Sequence, residues 1–403
     1  MIWNPAMRQF IADHLSDDTT RLLLSGHRYP DVDVPFAVEQ IEARRRLRSK
    51  LPQWYALDDL VMSGRVPAEQ CSSEQTARFK RSILLPDARS LCDMTGGMGV
   101  DFWYMSQGLD RAVYTERQPL LCEAARHNFA VLSASNPGES AAQIEVREGL
   151  STELPIPDVD VIYLDPARRS SDGSRIYEIS ECEPDVVAWQ DELLAHCRQL
   201  IVKVSPMADI TRTLARLRHV TDLYILSVRN ECKELLVVQQ ASAPAFQADY
   251  RLHCLDFLVS DTLQFDLSST DLTALSSDSL ASQINTYFYE PDVSIMKCQA
   301  FRALSERFSV QMLDTDCHYF TSAELCSVFP GRAFVVDRQI EFSSKMLKRL
   351  RSLIPQANIA TRGFPLTADQ LRQRTGIRDG GNVYLFGVCL HGVGPLLLEC
   401  HKC

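Results

Sequence analysis

The chain has 403 residues, 45% of them hydrophobic and 23% charged, with a formal net charge of −10. That length allows roughly two to four domains. The balance is that of an ordinary globular protein, and no run approaches the ~20 apolar residues of a membrane helix. The acidity excludes a protein coated in positive charge, though not a local basic patch.

Thirteen cysteines, scattered and odd in number, lead us to expect reduced thiols and neither a disulfide framework nor a metal site. The opening "MIWNPAMRQFIADHL" has no basic region leading into an apolar core. A cytoplasmic location is therefore expected.

Residues 1–80 read as a helical domain. "FAVEQIEARRRLRSKLPQW" sets Phe36, Val38, Ile41 and Leu47 at helical spacing, and Pro52 stops the helix. A second helix is expected over "SSEQTARFKRSIL", capped by Ser72 or Ser73. Over 81–240 the pattern changes. Short apolar runs ("SLCDM", "RAVYTE", "IEVRE", "DVIYLD", "QLIVKVS", "DLYILSVR", "ELLVVQQ") alternate with helical stretches such as 118–132. This predicts a mostly parallel sheet covered on both faces. Its last two runs, separated by "NECK", are expected to form an antiparallel pair closing the sheet edge.

Residues 241–327 read as a Ser/Thr/Asp-rich linker followed by a small mixed unit with one helix through "IMKCQAFRALSERF". Residues 328–403 read as a small α+β domain whose helices are "SKMLKRLRSLI" and "TADQLRQRTG". That last segment carries eleven basic against five acidic residues.

"CDMTGGMGVD" (92–101) follows a strand and opens a helix. Gly96, Gly97 and Gly99 let the backbone bend sharply and approach a ligand closely. "AVYTER" then places Glu116, 23 positions after Asp93, at the end of the next strand, where an acid can hold ribose hydroxyls. A dinucleotide or S-adenosylmethionine (SAM) fits this pairing. The details favour SAM. Phe102 stands where G-x-G-x-x-G needs its third glycine, and Asp101 would meet a pyrophosphate with negative charge. Asp101 and Asp93 suit an ammonium or sulfonium instead.

"DVIYLDPARR" ends a strand with Asp165-Pro166. At such a strand end, a carboxylate and the adjacent carbonyl can accept hydrogen bonds from an exocyclic amine and aim its lone pair at a methyl group.

Together with "EQCSSEQTARFK", "KVSPMADI", "RNECKELL", "YEPDVSIMK", "FPGRAFVV" and "IRDGGNVYLFGV", these stretches resemble the class I SAM-dependent methyltransferases with a ferredoxin-like unit and a THUMP-like C-terminal domain. The resemblance implies a Rossmann-like α/β sheet with a helical N-terminal domain and small α+β C-terminal domains. It also implies SAM as cofactor and, because THUMP domains elsewhere bind RNA, a tRNA or rRNA partner.

Carried over, Asp93, Thr95, Gly96, Gly97, Gly99 and Asp101 form the glycine motif, Glu116 is the ribose acid, and Asp165, Pro166 and Arg168 open the catalytic loop. For an adenine contact after the third strand, Glu148 and Ser151 are both candidates. Arg168 stands where amine methylases carry an aromatic ring. A guanidinium also stacks on a base, while Arg168 and Arg169 could equally hold phosphate. Lys203 faces the target pocket or pairs with a carboxylate. Lys345, Lys348, Arg349, Arg372 and Arg374 are the candidate RNA-binding cations.

The function expected is methylation of a nucleobase in structured RNA, at an exocyclic nitrogen, with no membrane and no metal involved. The alternatives are a non-catalytic RNA-binding protein of methyltransferase fold and a methylase of protein or small molecules.

Overall fold

The structure, a computed structural model, describes residues 3–62, 64–135, 142–168, 178–246, 249–258, 261–272 and 279–403. The chain divides into two compact units, Met1–Thr221 with Leu235–Gln247, and Asp222–Glu234 with Ala248–Cys403.

In the first unit, six helices precede the sheet: α1 (Pro5–Asp13), α2 (Thr19–Leu24), α3 (Val34–Leu47), α4 (Pro52–Tyr55), α5 (Arg65–Gln70) and α6 (Glu74–Ser82). Side chains of Asn4, Asp18, Asp33 and Ser73 accept the first free N–H groups of α1, α2, α3 and α6, which is where such short polar residues stabilise a helix start. Met7, Phe10, Ile11, Leu22, Val38 and Ile41 pack together beneath the first three helices. Each such side chain contributes about 1.5–3 kcal/mol on burial.

The sheet strands of this unit are β1 (Ser90–Asp93), β2 (Arg111–Glu116), β3 (Gln143–Glu148), β4 (Val159–Leu164), a two-residue pair β5 (Ala167–Arg168) and β6 (Cys182–Glu183), and β7 (Cys197–Val204). They are followed by β8 (Val220–Val228) and β9 (Cys232–Gln240). The helices between them are α7 (Val100–Ser106), α8 (Pro119–Ser135), α9 (Val186–Ala195) and α10 (Ile210–Arg216). Runs such as Val161–Leu164 and Leu200–Val202 are buried residue after residue, as strands covered on both faces must be.

The order is β9-β7-β4-β1-β2-β3. Strands β7 to β3 are parallel, and β9 is antiparallel to β7 with Lys203 opposite Leu236. From β1 the chain builds outward in one direction to β2 and β3. From β4 it builds in the other direction to β7. The carboxyl ends of β1 and β4 therefore flank the switch point, where a sheet of this kind leaves a crevice.

In the second unit, β8 from Asp222 onward pairs in parallel with β10 (Arg251–Phe257), which pairs antiparallel with β11 (Thr262–Ser268). The expected closure of the sheet edge at β8 is thus not found. Leu252, Cys254 and Leu255 of β10 are buried, and pairing with β8 supplies backbone partners along the strand.

A seven-stranded sheet follows. Its members are β12 (Tyr287–Pro291), β13 (Gln311–Met312), β14 (Phe320–Ser322), β15 (Gly331–Glu341), β16 (Asn358–Thr361), β17 (Tyr384–Leu390) and β18 (Gly394–Lys402), in the order β13-β14-β12-β15-β18-β17-β16. The helix expected over 295–308 is two helices, α11 (Val293–Cys298) and α12 (Phe301–Phe308). Gln299, left-handed at φ 58°, breaks them apart. The last two helices are α13 (Ser344–Leu353) and α14 (Ala368–Thr375). Their apolar faces (Leu347, Leu350, Leu371) join Leu385 and Leu397 of the sheet in one core.

Candidate active site

A cavity of about 330 Å³ lies at the switch point and is lined by Asp93–Asp101, Thr115–Gln118, Gly149–Thr152, Tyr163 and Asp165. Pro67, Gln70, Cys71, Ser72, Glu183 and Pro184 contribute further wall residues. The size is that of a small-molecule site.

The glycine turn is shaped by aromatic packing as well as by the chain. A Cβ on Gly96 would sink into the Tyr114 ring, and one on Gly99 would come within 2.8 Å of the Phe129 ring. Gly97 and Gly99 hold φ of +55° and +79°, a region that costs other residues strain. Tyr114 closes the packing by donating its hydroxyl to the Gly97 carbonyl at 2.5 Å.

Asp93 ends β1, 1% exposed. One carboxylate oxygen accepts the Thr95 N–H at 2.9 Å. Burial pushes the Asp93 carboxyl up to about 8; the Thr95 hydrogen bond opposes the rise, and the nearby Asp101, Asp165 and Glu116 add to it. Glu116 ends β2. It accepts N–H groups from Gly97 and Gln118, each at 2.9 Å, one on each oxygen. Among the described residues neither Asp93 nor Glu116 has a cationic partner. Each carboxylate oxygen retains lone pairs, so Glu116 can still accept from sugar hydroxyls.

Asp101 stands differently. Lys80 Nζ reaches one oxygen at 2.9 Å, while the hydroxyls of Ser72 and Tyr163 reach the other at 2.8 Å each. Burial alone would raise this carboxyl, but Lys80, then Lys203, outweigh it and hold it at about 2. The carboxylate expected to meet a ligand ammonium is therefore already neutralised by a wholly buried lysine.

Thr95 ties the two loops together. Its hydroxyl lies 3.4 Å from Asp93 and accepts the Asp165 N–H at 2.6 Å. Lys203, near the end of β7, donates to Asp165 Oδ2 at 2.6 Å, so of its two expected placements the ion pair is the one found. The Asp165 side chain is 41% exposed and that of Lys203 is 12%. Pro166 and Ala167 follow at the rim, Ala167 exposed. Arg169 and the side chain of Arg168 lie outside the described residues.

Of the two adenine candidates, Ser151 is buried on the cavity wall, whereas Glu148 is exposed at the end of β3 and is not among the lining residues. The sequence offers Ser72 only as one of two candidate helix caps, a place Ser73 takes, and Lys80 carries no role there. The available signal was a lysine on the same stripe of α6 as buried Thr76 and Ala77.

The charges divide by partner. Of five wall carboxylates, Asp101 and Asp165 are paired with lysines and Glu183 with Arg117, while Asp93 and Glu116 face the cavity without a cation among the described residues. A ligand with a positive amino-acid end and a ribose fits this set. SAM meets that description, with Asp93 to receive its ammonium, Glu116 its ribose hydroxyls and the glycine turn its backbone-facing side.

The remaining candidates lie in the second unit. Lys345, Lys348 and Arg349 are exposed on α13, and no carboxylate pairs with them among the described residues. Arg374 is exposed on α14, whereas Arg372 is paired with Asp379 at 2.6 Å. Among the described residues no group of three or more His, Cys, Asp or Glu is placed to hold a metal, and no helix is long and apolar enough to cross a membrane.

Comparison with known proteins agrees with this geometry. A ferredoxin-like domain family matches residues 287–330, and a THUMP domain-like family matches residues 331–402. A crystal structure from Porphyromonas gingivalis W83, of a protein described as a candidate methyltransferase, superposes with a TM-score of 0.88 at 32% identity over 100% of both chains. Two Mycobacterium tuberculosis proteins, from strains CDC 1551 and H37Rv, are each named an uncharacterized SAM-dependent methyltransferase. Each is 23% identical over 355 residues, covering 85% of this chain and 89% of theirs. With a relative above 30% identity along its whole length, and with the cavity and both C-terminal domains in place, the chain belongs to the family of SAM-dependent methyltransferases that carry ferredoxin-like and THUMP-like domains.

Proposed function

We propose that this SAM-dependent methyltransferase acts on structured RNA, a tRNA or an rRNA, and that α13 of the THUMP-like domain grips the phosphate backbone. The observation that carries the reading is the outer face of α13. Lys345, Lys348 and Arg349 fall at i, i+3 and i+4, all exposed and without a carboxylate partner among the described residues. Leu347 and Leu350 hold the opposite face in the core. Surface cations in this protein commonly find a carboxylate; Arg332 and Arg362 share Glu290, Arg338 pairs with Glu399, and Arg372 with Asp379. A row left unpaired in an acidic chain is suited to an external polyanion.

Bound SAM supplies an electrophilic methyl group. The chain's own part is to hold and orient. Asp93 holds the amino-acid end of the donor and Glu116 its ribose, Thr95 locks the Asp165 backbone to the glycine turn, and Asp165 meets the acceptor with Oδ1, the oxygen Lys203 leaves. The exocyclic-nitrogen expectation rested on the Asp165 side chain and the Pro166 carbonyl as acceptors for an amine. Lys203 takes one of the Asp165 oxygens.

The test is RNA affinity. Replacing Lys345, Lys348 and Arg349 together by glutamate is expected to weaken binding to a bulk tRNA and rRNA pool about tenfold or more, with binding of the unreactive donor analogue sinefungin unchanged. Equal affinity for RNA in the variant would contradict the proposal.

A further inference from the structure

We infer that the methyl acceptor is a hydroxyl and, given the RNA reading on which this rests, the 2′-hydroxyl of a ribose. The observation is the placement of positive charge. Lys203 Nζ is 2.6 Å from Asp165 Oδ2, with its side chain 12% exposed. Asp101, also on the cavity wall, is backed by the wholly buried Lys80. Asp165 is the carboxylate that an acceptor entering beside the switch point would meet, so any such acceptor stands within hydrogen-bonding reach of an ion pair.

The sign of the charge separates the two chemistries. An amine nucleophile starts neutral and becomes positive as its bond to carbon forms, and a neighbouring ammonium in a poorly solvated site opposes that change. A hydroxyl must shed its proton and passes through a partly negative oxygen. A fixed ammonium stabilises that oxygen, and a carboxylate is at hand to take the proton.

The step balances as follows. The hydroxyl oxygen's lone pair forms the new O–C bond while the donor's C–S bond breaks and leaves its electron pair on sulfur. The hydroxyl proton goes to Asp165 Oδ1 and then to solvent. Lys203 keeps its proton throughout and acts as a positioning residue through Asp165 and through its charge.

The experiment uses the full-length protein, tritium-labelled SAM, and total RNA, total protein and small-molecule extract from a strain lacking the gene. A 2′-O-methyl group blocks alkaline cleavage of the adjoining phosphodiester, so label recovered in alkali-stable dinucleotides is the expected result. Label in mononucleotides bearing a methylated base would overturn the hydroxyl assignment and leave the RNA reading standing. Label in protein or small molecules only, or in no fraction from a preparation that binds sinefungin, would overturn both.

Two variants sharpen the test. Lys203→Met is expected to slow transfer about 100-fold or more, while Lys203→Arg stays within about tenfold of the natural protein. Sinefungin affinity measured by calorimetry should hold within about twofold in both, since Lys203 bears on the acceptor side. A Lys203→Met protein that methylates as fast as, or faster than, the natural one would contradict the inference, because removing a cation favours an amine acceptor.

Discussion

At the scale of single residues, Asp93 is the most informative. Burial lifts its carboxyl to about 8 in the free protein, so at neutral pH it is mostly protonated. A cationic amino-acid end bound against it favours the ionised form and drives the proton off. Sinefungin binding at pH 7 is therefore expected to release about one proton, read as a dependence of calorimetric enthalpy on buffer ionisation heat. Asp93→Asn should remove that dependence. A natural protein whose binding enthalpy is the same in all buffers would show that no cation docks there. The same group has a consequence for folding. Its folded pKa lies above the ordinary value of 3.8, so its contribution to stability is full below pH ~3.8 and is lost as pH rises toward ~8. Asp93→Asn should flatten that part of the profile. Asp93, Gly97 and Glu116 were legible in the sequence because a turn that needs glycine and a strand-end acid recur at fixed chain spacing. The role of Thr95 was not. Its hydroxyl joins positions 93 and 165, and only the folded sheet makes those neighbours.

At the scale of elements, α6 and α7 meet through one buried ion pair. Lys80 sits on the inward stripe of α6 and reaches Asp101 in the first turn of α7, where an acid is also favoured by the helix dipole. Removing one partner strands the other in a buried position without its counter-charge. Lys80→Met is expected to cost about 3–5 kcal/mol of unfolding free energy, measured by urea titration. Pairing it with Asp101→Leu should recover part of that loss. An unchanged midpoint for Lys80→Met would contradict this picture of the contact. Strands and caps in this unit were readable from alternation and from Ser, Asp and Asn at helix starts. The break between α11 and α12 was not, because Gln299 carries no left-handed signature in sequence. The edge expected at β8 failed for a related reason. The apolar run of β10 was visible, but its choice of β8 as a partner is a long-range pairing that periodicity does not encode.

At the scale of the whole molecule, a net charge of −10 coexists with a local row of cations on α13. This makes the response to salt diagnostic. If Lys345, Lys348 and Arg349 each neutralise a phosphate, the slope of log affinity against log salt should fall by about 2–3 units in the triple glutamate variant. A slope that does not move would place the RNA contact elsewhere. The sequence offers Lys345, Lys348, Arg349, Arg372 and Arg374 alike as RNA contacts, since composition does not reveal which cations are already paired. Ion pairs hold Arg332, Arg338, Arg362 and Arg372, and among the other cations Lys345, Lys348 and Arg349 share one exposed face of α13. All of this depends on a donor seated between Asp93 and Glu116. The most direct measurement is a crystal structure of the full chain with S-adenosylhomocysteine. The account predicts the ligand's ribose on Glu116, its amino-acid end toward Asp93 and its sulfur facing Asp165. A ligand bound elsewhere, or one reversed so that its adenine meets Asp93, would contradict it.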